Sequence, residues 1–301
     1  ARPGPAPPLK AMRILDFHTH PYRPQDLAPA TVDYIRRISP AVREHGNLLS
    51  DPAYAARLLR REGVERAVLL AEHCPATSGN VRTETVLALA REVPDFYLPF
   101  ASIDPNTDPQ PARLLRRYLD EGPVRGLKLY PSYQFVYPND RRLYPVYEVC
   151  AEAGIPVLLH IGSSVIPGTR LKYCDPIHLD DVAVDFPELT IVMAHGGRGL
   201  WYDTCALLAR QHPNVYIDVA GLVPGRLLEF FPDLPRLADK FVFGSDWPAM
   251  PKSVAHNARA IAELGLSPEA TAKILYDNAA RILRLAPTDP PAGPTAGPQG
   301  R

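Results

Sequence analysis

The 301-residue chain has only four cysteines (Cys74, Cys150, Cys174 and Cys205), none within C-x-x-C spacing of another. That pattern excludes a disulfide framework and a paired-thiol redox motif, favours buried, inert thiols, and predicts a reducing, cytoplasmic setting. Apolar runs are short: none approaches the roughly 18 residues that cross a bilayer, and the start lacks the charged-then-apolar order of a secretory signal. An excess of either charge is also missing, with 33 basic groups against 33 acidic ones. A balanced chain of 46% hydrophobic and 22% charged residues predicts a soluble globular protein with no nucleic-acid or membrane surface. A small-molecule substrate is the remaining expectation.

The ends are poor in large apolar side chains. Residues 1–11 and 286–301 are rich in Pro, Gly and Ala; they cannot bury enough surface to offset the entropy of ordering and are expected to be flexible tails. No linker divides residues 12–285, which read as one domain. What recurs there is an apolar strand followed by an amphipathic helix. The strands read Ile14–His20, Val64–Ala71, Phe96–Ile103, Val124–Tyr130, Ile155–Ile161, Leu189–His195, Val215–Val219 and Phe241–Asp246. Helices are expected after each, among them 81–92, 140–153, 202–211 and 225–237, with 252–264 and 268–285 closing the chain. Runs such as VLL, IVM and FVF, apolar on both faces, suit parallel strands covered by helices. Eight such units, with no glycine-rich phosphate turn after the first strand, predict an α/β fold of the (β/α)8 TIM-barrel type rather than an open doubly wound sheet.

Polar groups gather where such a barrel places its chemistry, at the C-terminal ends of the strands. The first strand closes with Asp16-Phe17-His18-Thr19-His20; on an extended chain His18 and His20 point the same way and can share one divalent cation. Strand five ends in His160 and strand six in His195, each after an apolar run. On strand eight Phe241 and Phe243 are expected to face the helices, while Gly244 and Asp246 face the axis. Five metal-capable groups therefore converge on one mouth. On strand four Gly126, Lys128 and Tyr130 share a face opposite Leu127 and Leu129, which aims Lys128 into the same mouth.

DFHTH at strand one, PVLLHIG at strand five, IVMAHGG at strand six and FGSDWP at strand eight resemble the amidohydrolase superfamily. The resemblance is to the amidohydrolase-related branch that includes aminocarboxymuconate-semialdehyde and resorcylate-type decarboxylases alongside lactone hydrolases. It implies His18, His20 and His160 as metal ligands and Asp246 as a carboxylate that binds the metal and handles a proton. It implies His195 as the group that orients or deprotonates the attacking water. Three imidazoles and a carboxylate suit Zn2+ or Mn2+ with an open coordination position. For Lys128 two readings stand: a carboxylated lysine bridging two ions, as in binuclear superfamily members, or a cation that grips an anionic substrate. The second, with one ion, is favoured.

Arg198 and Trp247 are further expected contacts, the first for an anionic substrate and the second as a cavity wall; Tyr130 adds aromatic surface. Arg170, Lys172 and Tyr173 lie in a loop expected to act as a lid. Glu72 and His73 end strand two without an assigned role, and His45, His178, His212 and His256 read as solvated or capping residues. The resemblance also allows a homodimer, with an exposed arm over residues 21–50 as its contact. The leading function is metal-dependent hydrolysis of a small-molecule amide, lactone or ester by a metal-activated water. The alternative is nonoxidative decarboxylation of an aromatic or unsaturated acid on the same site; a non-catalytic metal-binding protein is the remaining reading.

Overall fold

The computed structural model describes residues 12–286, so both expected tails, apart from Ala286, lie outside the described residues. The elements run β1 (Ile14–Thr19), α1 (Pro29–Ile38), α2 (Pro40–His45), α3 (Pro52–Arg61), β2 (Val64–Leu70), β3 (Glu72–Cys74), β4 (Gly79–Val81), α4 (Thr83–Glu92), β5 (Tyr97–Ser102), α5 (Pro111–Glu121), β6 (Gly126–Leu129) and α6 (Pro131–Gln134). They continue with α7 (Tyr144–Ala153), β7 (Val157–Gly162), α8 (His178–Asp185), β8 (Ile191–Arg198), α9 (Tyr202–Gln211), β9 (Val215–Asp218), α10 (Leu227–Phe230), β10 (Phe241–Val242), α11 (Val254–Ala262), α12 (Pro268–Ala272) and α13 (Asn278–Ile282). Eight parallel strands form one sheet in the order β1-β2-β5-β6-β7-β8-β9-β10. The segment after β10 brings the two ends together: Phe17 N donates to Phe243 O (2.8 Å), Asp246 N to His18 O (2.9 Å) and His20 N to Trp247 O (2.7 Å). This is the expected (β/α)8 barrel.

Strand alternation sorts the apolar side chains into two layers. Leu127, Leu129, Val157, Leu159, Ile191 and Met193 face outward into the shell of helices. Leu15, Phe17, Leu98, Phe100, Leu158 and Val192 face inward and fill the barrel, and Tyr276, Ala279 and Ile282 from the last helices close its lower end. Space inside is tight. A Cβ on Gly126 would lie 2.3 Å from the Phe100 ring, so glycine is needed there to let Phe100 cross the axis and meet Phe17 edge-on at 5.7 Å. The apolar filling leaves only the upper ends of the strands open to polar chemistry.

Local chemistry explains the element ends and the departures from expectation. Asp51 caps α3 by accepting from Tyr54 N, with Pro52 at the first turn, and Gly154 ends α7 in the left-handed region at φ 63°. The expected helix over 225–237 is broken, because Pro232 and Pro235 carry no backbone N–H to continue it. A hairpin of β3 and β4 replaces the expected start of the helix at 81. Its Gly79 packs against Asp26 and Leu27 and forms a bridge to Leu27. Residues 21–50 are therefore not the exposed arm expected from the sequence: they fold over the barrel mouth, and α1 walls the cavity below. Among the described residues no helix is long and apolar enough to cross a membrane.

Gly126→Ala should lower stability by about 1–3 kcal/mol through overpacking, and adding Phe100→Leu should recover part of that loss. Thermal unfolding of the two variants checks this; an unchanged midpoint in Gly126→Ala would contradict the packing account.

Candidate metal centre

Regular alternation alone does not aim β1. Leu15 and Phe17 point into the barrel, which would turn His18 outward. Between Asp16, paired with Ala67, and Thr19, paired with Leu69, β1 carries three steps against two on β2. This one-residue bulge resets the pleat and brings His18 and His20 to the mouth. Asp16 holds the bulge: its Oδ1 accepts from His18 N (3.2 Å) and Ser245 N (2.9 Å). On β7 the register with β8 is regular as far as His160, with Leu158 inside and His160 above it. After Ala194 on β8, His195 takes φ 67°, a left-handed conformation that turns a residue otherwise facing the helices back over the barrel. Asp246, which alternation from Val242 and Gly244 already turns toward the axis, also takes a left-handed φ of 69°. Gly244 below it is required, since a Cβ would sit 2.3 Å from Asp218 Oδ1 and 2.6 Å from His18 Cβ.

The result is a cluster in which ligand atoms of His18, His20 and Asp246 all lie within 4.8 Å of one another. His18 Nε2 and His20 Nε2 are 3.6 Å and 3.5 Å from Asp246 Oδ1. Those distances are long for hydrogen bonds and close to the about 3.4 Å that separates two atoms bound tetrahedrally to one zinc-sized ion. Three of the four Nδ1 atoms are held by a partner and that of His20 lies near a carboxylate. His18 Nδ1 lies 2.6 Å from Asp218 Oδ2, His20 Nδ1 3.5 Å from Glu72 Oε2, His195 Nδ1 2.9 Å from Ala220 O, and His160 Nδ1 3.1 Å from His195 Nε2. His160 Nε2 is buried without a hydrogen-bond partner. Ring centroids run from His20 to His18 at 5.3 Å, on to His195 at 5.0 Å and to His160 at 4.4 Å.

Burial sets the charges. It pushes His18, His160 and His195 well below the usual imidazole range, with the Lys128 and Arg198 cations adding to the effect; the rings are neutral and keep lone pairs for a cation. Burial raises Asp218 and takes Asp16 up to about 7. For Asp246 burial acts in the same sense, yet the neighbouring His20 and His18 rings and the Arg198 cation outweigh it and hold the carboxyl below its usual range. Lys128 is pulled below the usual amine range by burial, opposed by Asp218, Asp246 and Glu72. Its Nζ has no hydrogen-bond partner and lies 4.9 Å from the Tyr130 ring centroid.

These groups floor a cavity of about 610 Å³ whose walls include Leu27, Ile35, Ile38, Ile166, Leu222 and Met250. Lys128, Tyr130, His160, His195 and Arg198 all border it, as the sequence predicts. Arg198 is held by its Nε and Nη2 on Ser163 O at 3.1 Å and 2.7 Å. Trp247 does not border it: the indole is buried in the outer core, because strand alternation turns it away from Asp246. From the expected lid, Val165 and Ile166 reach the cavity while Arg170, Lys172 and Tyr173 do not. His212 is the C-cap of α9, one of the two roles expected for it, and its ring is buried on Asp180 at 2.7 Å. Sequence reasoning missed Asp218, although it ends the run Val215-Tyr216-Ile217 as His160 ends its own, and left Glu72 without the role its distance to His20 supplies. The donor set of His18, His20 and Asp246 fits Zn2+ or Mn2+; His160 is not part of that close group but lines the same cavity, with its Nε2 unpartnered.

Asp218→Asn places an amide where two carboxylate oxygens accept from His18 Nδ1 and Ala220 N, so one contact becomes donor against donor. Affinity for Mn2+ or Zn2+ should fall about 10–100-fold, the usual cost of losing a partner behind a ligating histidine. Calorimetric titration of metal-free protein measures it, and an unchanged affinity would contradict the role given to Asp218.

Solved structures share this architecture. An uncharacterised TIM-barrel protein from Bordetella bronchiseptica is 29% identical, with 91% of this chain and 99% of that one covered and a TM-score of 0.75. A 4-oxalomesaconate hydratase from Rhodopseudomonas palustris is 20% identical (90% and 95% covered, TM-score 0.64). A 5-carboxyvanillate decarboxylase from Novosphingobium aromaticivorans, solved with manganese and 4-hydroxy-3-methoxy-5-nitrobenzoic acid, is 16% identical (92% and 97% covered, TM-score 0.64). No curated protein matches the chain in sequence. The family model described as Amidohydrolase matches residues 15–285, and the chain belongs to that family.

Proposed function

We propose that this chain is a metal-dependent hydrolase that cleaves an amide, lactone or ester bond in a small anionic molecule with an apolar body. His18, His20, His160 and Asp246 are its metal ligands, and one ion of Zn2+ or Mn2+ is the resident cofactor. When bound, that ion supplies a Lewis acid that polarises a carbonyl and lowers the pKa of water.

The observation that supports hydrolysis is the position of Asp246, whose Oδ1 lies 3.6 Å and 3.5 Å from His18 Nε2 and His20 Nε2. A carboxylate placed there is set to take a proton from a water held beside the same nitrogens. Once protonated it becomes the donor for the leaving alkoxide or amine. Lys128 supports the anionic substrate class: a fully buried ammonium with no hydrogen-bond partner gains most from a carboxylate or a developing oxyanion. Arg198 adds a second cation on the far side of His160, since β7 lies between β6 and β8. The apolar walls take the rest of the substrate.

Decarboxylation stays as a second reading because the same cations and walls suit an aromatic acid, the class named for the decarboxylase and its bound nitrobenzoic acid among the similar structures. In that reading Lys128 would serve as the proton source. A carboxylated Lys128 would instead mean two ions, which metal content per chain distinguishes.

Turnover of a panel of lactones, amides and aromatic acids should give hydrolysis without carbon dioxide, be lost on chelation and return with Mn2+ or Zn2+. Carbon dioxide release would establish the second reading, and full activity without metal would end both. Lys128→Met should raise KM for anionic substrates about 10–100-fold, the equivalent of a charge-assisted hydrogen bond worth roughly 1.5–3 kcal/mol. Because the amine loses its charge as pH rises through a lowered pKa, wild-type KM should climb on the alkaline side below the pH at which a free lysine titrates; a flat KM would contradict the grip.

A further inference from the structure

His195 is the residue whose expected role the geometry does not support. The Ala220 carbonyl 2.9 Å from its Nδ1 can only accept, so the hydrogen of the neutral ring sits on Nδ1 and Nε2 is bare. That bare Nε2 lies 3.1 Å from His160 Nδ1. Two bare nitrogens would repel, so His160 Nδ1 carries the hydrogen of its own ring and donates it. His160 Nε2 is then the lone pair left over; it is buried and unpartnered, on a residue that lines the cavity. One backbone carbonyl thus sets the tautomer of two rings in series.

The backbone around this relay is built for it. His195 and Gly196 take φ 67° and φ 52° in succession, and a Cβ on Gly196 would lie 2.8 Å from the Phe231 ring. Gly221, at φ 67°, leaves open a point 3.3 Å from His195 Nδ1 that a side chain would fill. With both ring nitrogens engaged, His195 has none to offer an attacking water.

We infer that His195 is a positioning residue: it fixes which nitrogen His160 turns to the cation and does not accept the substrate's proton. This rests on the metal-dependent reading above. The residue acts as a carboxylate behind a ligating histidine does elsewhere, with Asp246 left as the proton acceptor.

The test is Mn2+ titration of metal-free, full-length protein carrying His195→Ala or His195→Gln, alongside nitrogen-15 spectra of the histidines in the wild type. His195→Ala should weaken Mn2+ affinity about 10–100-fold. His195→Gln, whose amide oxygen accepts from His160 and whose NH2 donates to Ala220 O, should recover most of that affinity and most of the turnover. The spectra should show hydrogen on Nδ1 of both rings. The inference is overturned by an unchanged Mn2+ affinity in His195→Ala, by hydrogen on Nε2 of His160, or by a His195→Gln variant that binds Mn2+ normally yet has lost turnover. Absence of Mn2+ binding in the wild type would instead refute the metal reading, and the spectra would still decide the tautomer.

Discussion

The anchoring of imidazole rings through Nδ1 is the constraint on which the rest of the site depends. A free histidine offers two nitrogens and a rotating ring; a ring fixed on one side offers one lone pair in one direction. Asp218 on His18, Ala220 O on His195 and His195 on His160 each remove that freedom before any ligand arrives. The ordering entropy is therefore met during folding, when burial of the barrel core offsets it, rather than on binding. Preorganisation of this kind separates a site from a chance group of polar side chains.

The barrel carries this precision by alternating what it fills and what it leaves open. Phe17 and Phe100 occupy the layer below the site, and Gly126 is the position that yields to them. One layer higher, Gly244 yields to Asp218 and His18 in the same way. Between these layers the bulge on β1 and the left-handed turn at His195 redirect three functional side chains, His18, His20 and His195, that a regular pleat would have hidden. The cost of a left-handed non-glycine residue, about 1–3 kcal/mol, falls at two of the residues the chemistry uses.

Much of this is legible in the chain itself. Short apolar runs closed by His160, His195 or Asp246 mark strand ends, and eight such runs with helices between them specify the barrel. His18 and His20 are readable as a pair because two-residue spacing survives the bulge that precedes them. Other features were not legible, for physical reasons. No local pattern announces a bulge, and φ at His195 depends on neighbours far along the chain. Asp218 acts on a partner 200 residues away, so only the assembled barrel reveals what it does. Trp247 was misplaced because adjacency to Asp246 in sequence means the opposite face in space. The loop expected as an arm at 21–50 became a wall because Leu27 found Gly79.

The charges complete the picture. Neutral His18, His160 and His195 rings, an ionised Asp246 and the Lys128 and Arg198 cations around an apolar chamber are the surroundings that the proposed divalent ion and organic anion would meet. Crystals soaked in Mn2+ and measured for anomalous scattering test that claim most directly. The account predicts a single peak in contact with His18, His20, His160 and Asp246; no peak there, or one held by other residues, would contradict it.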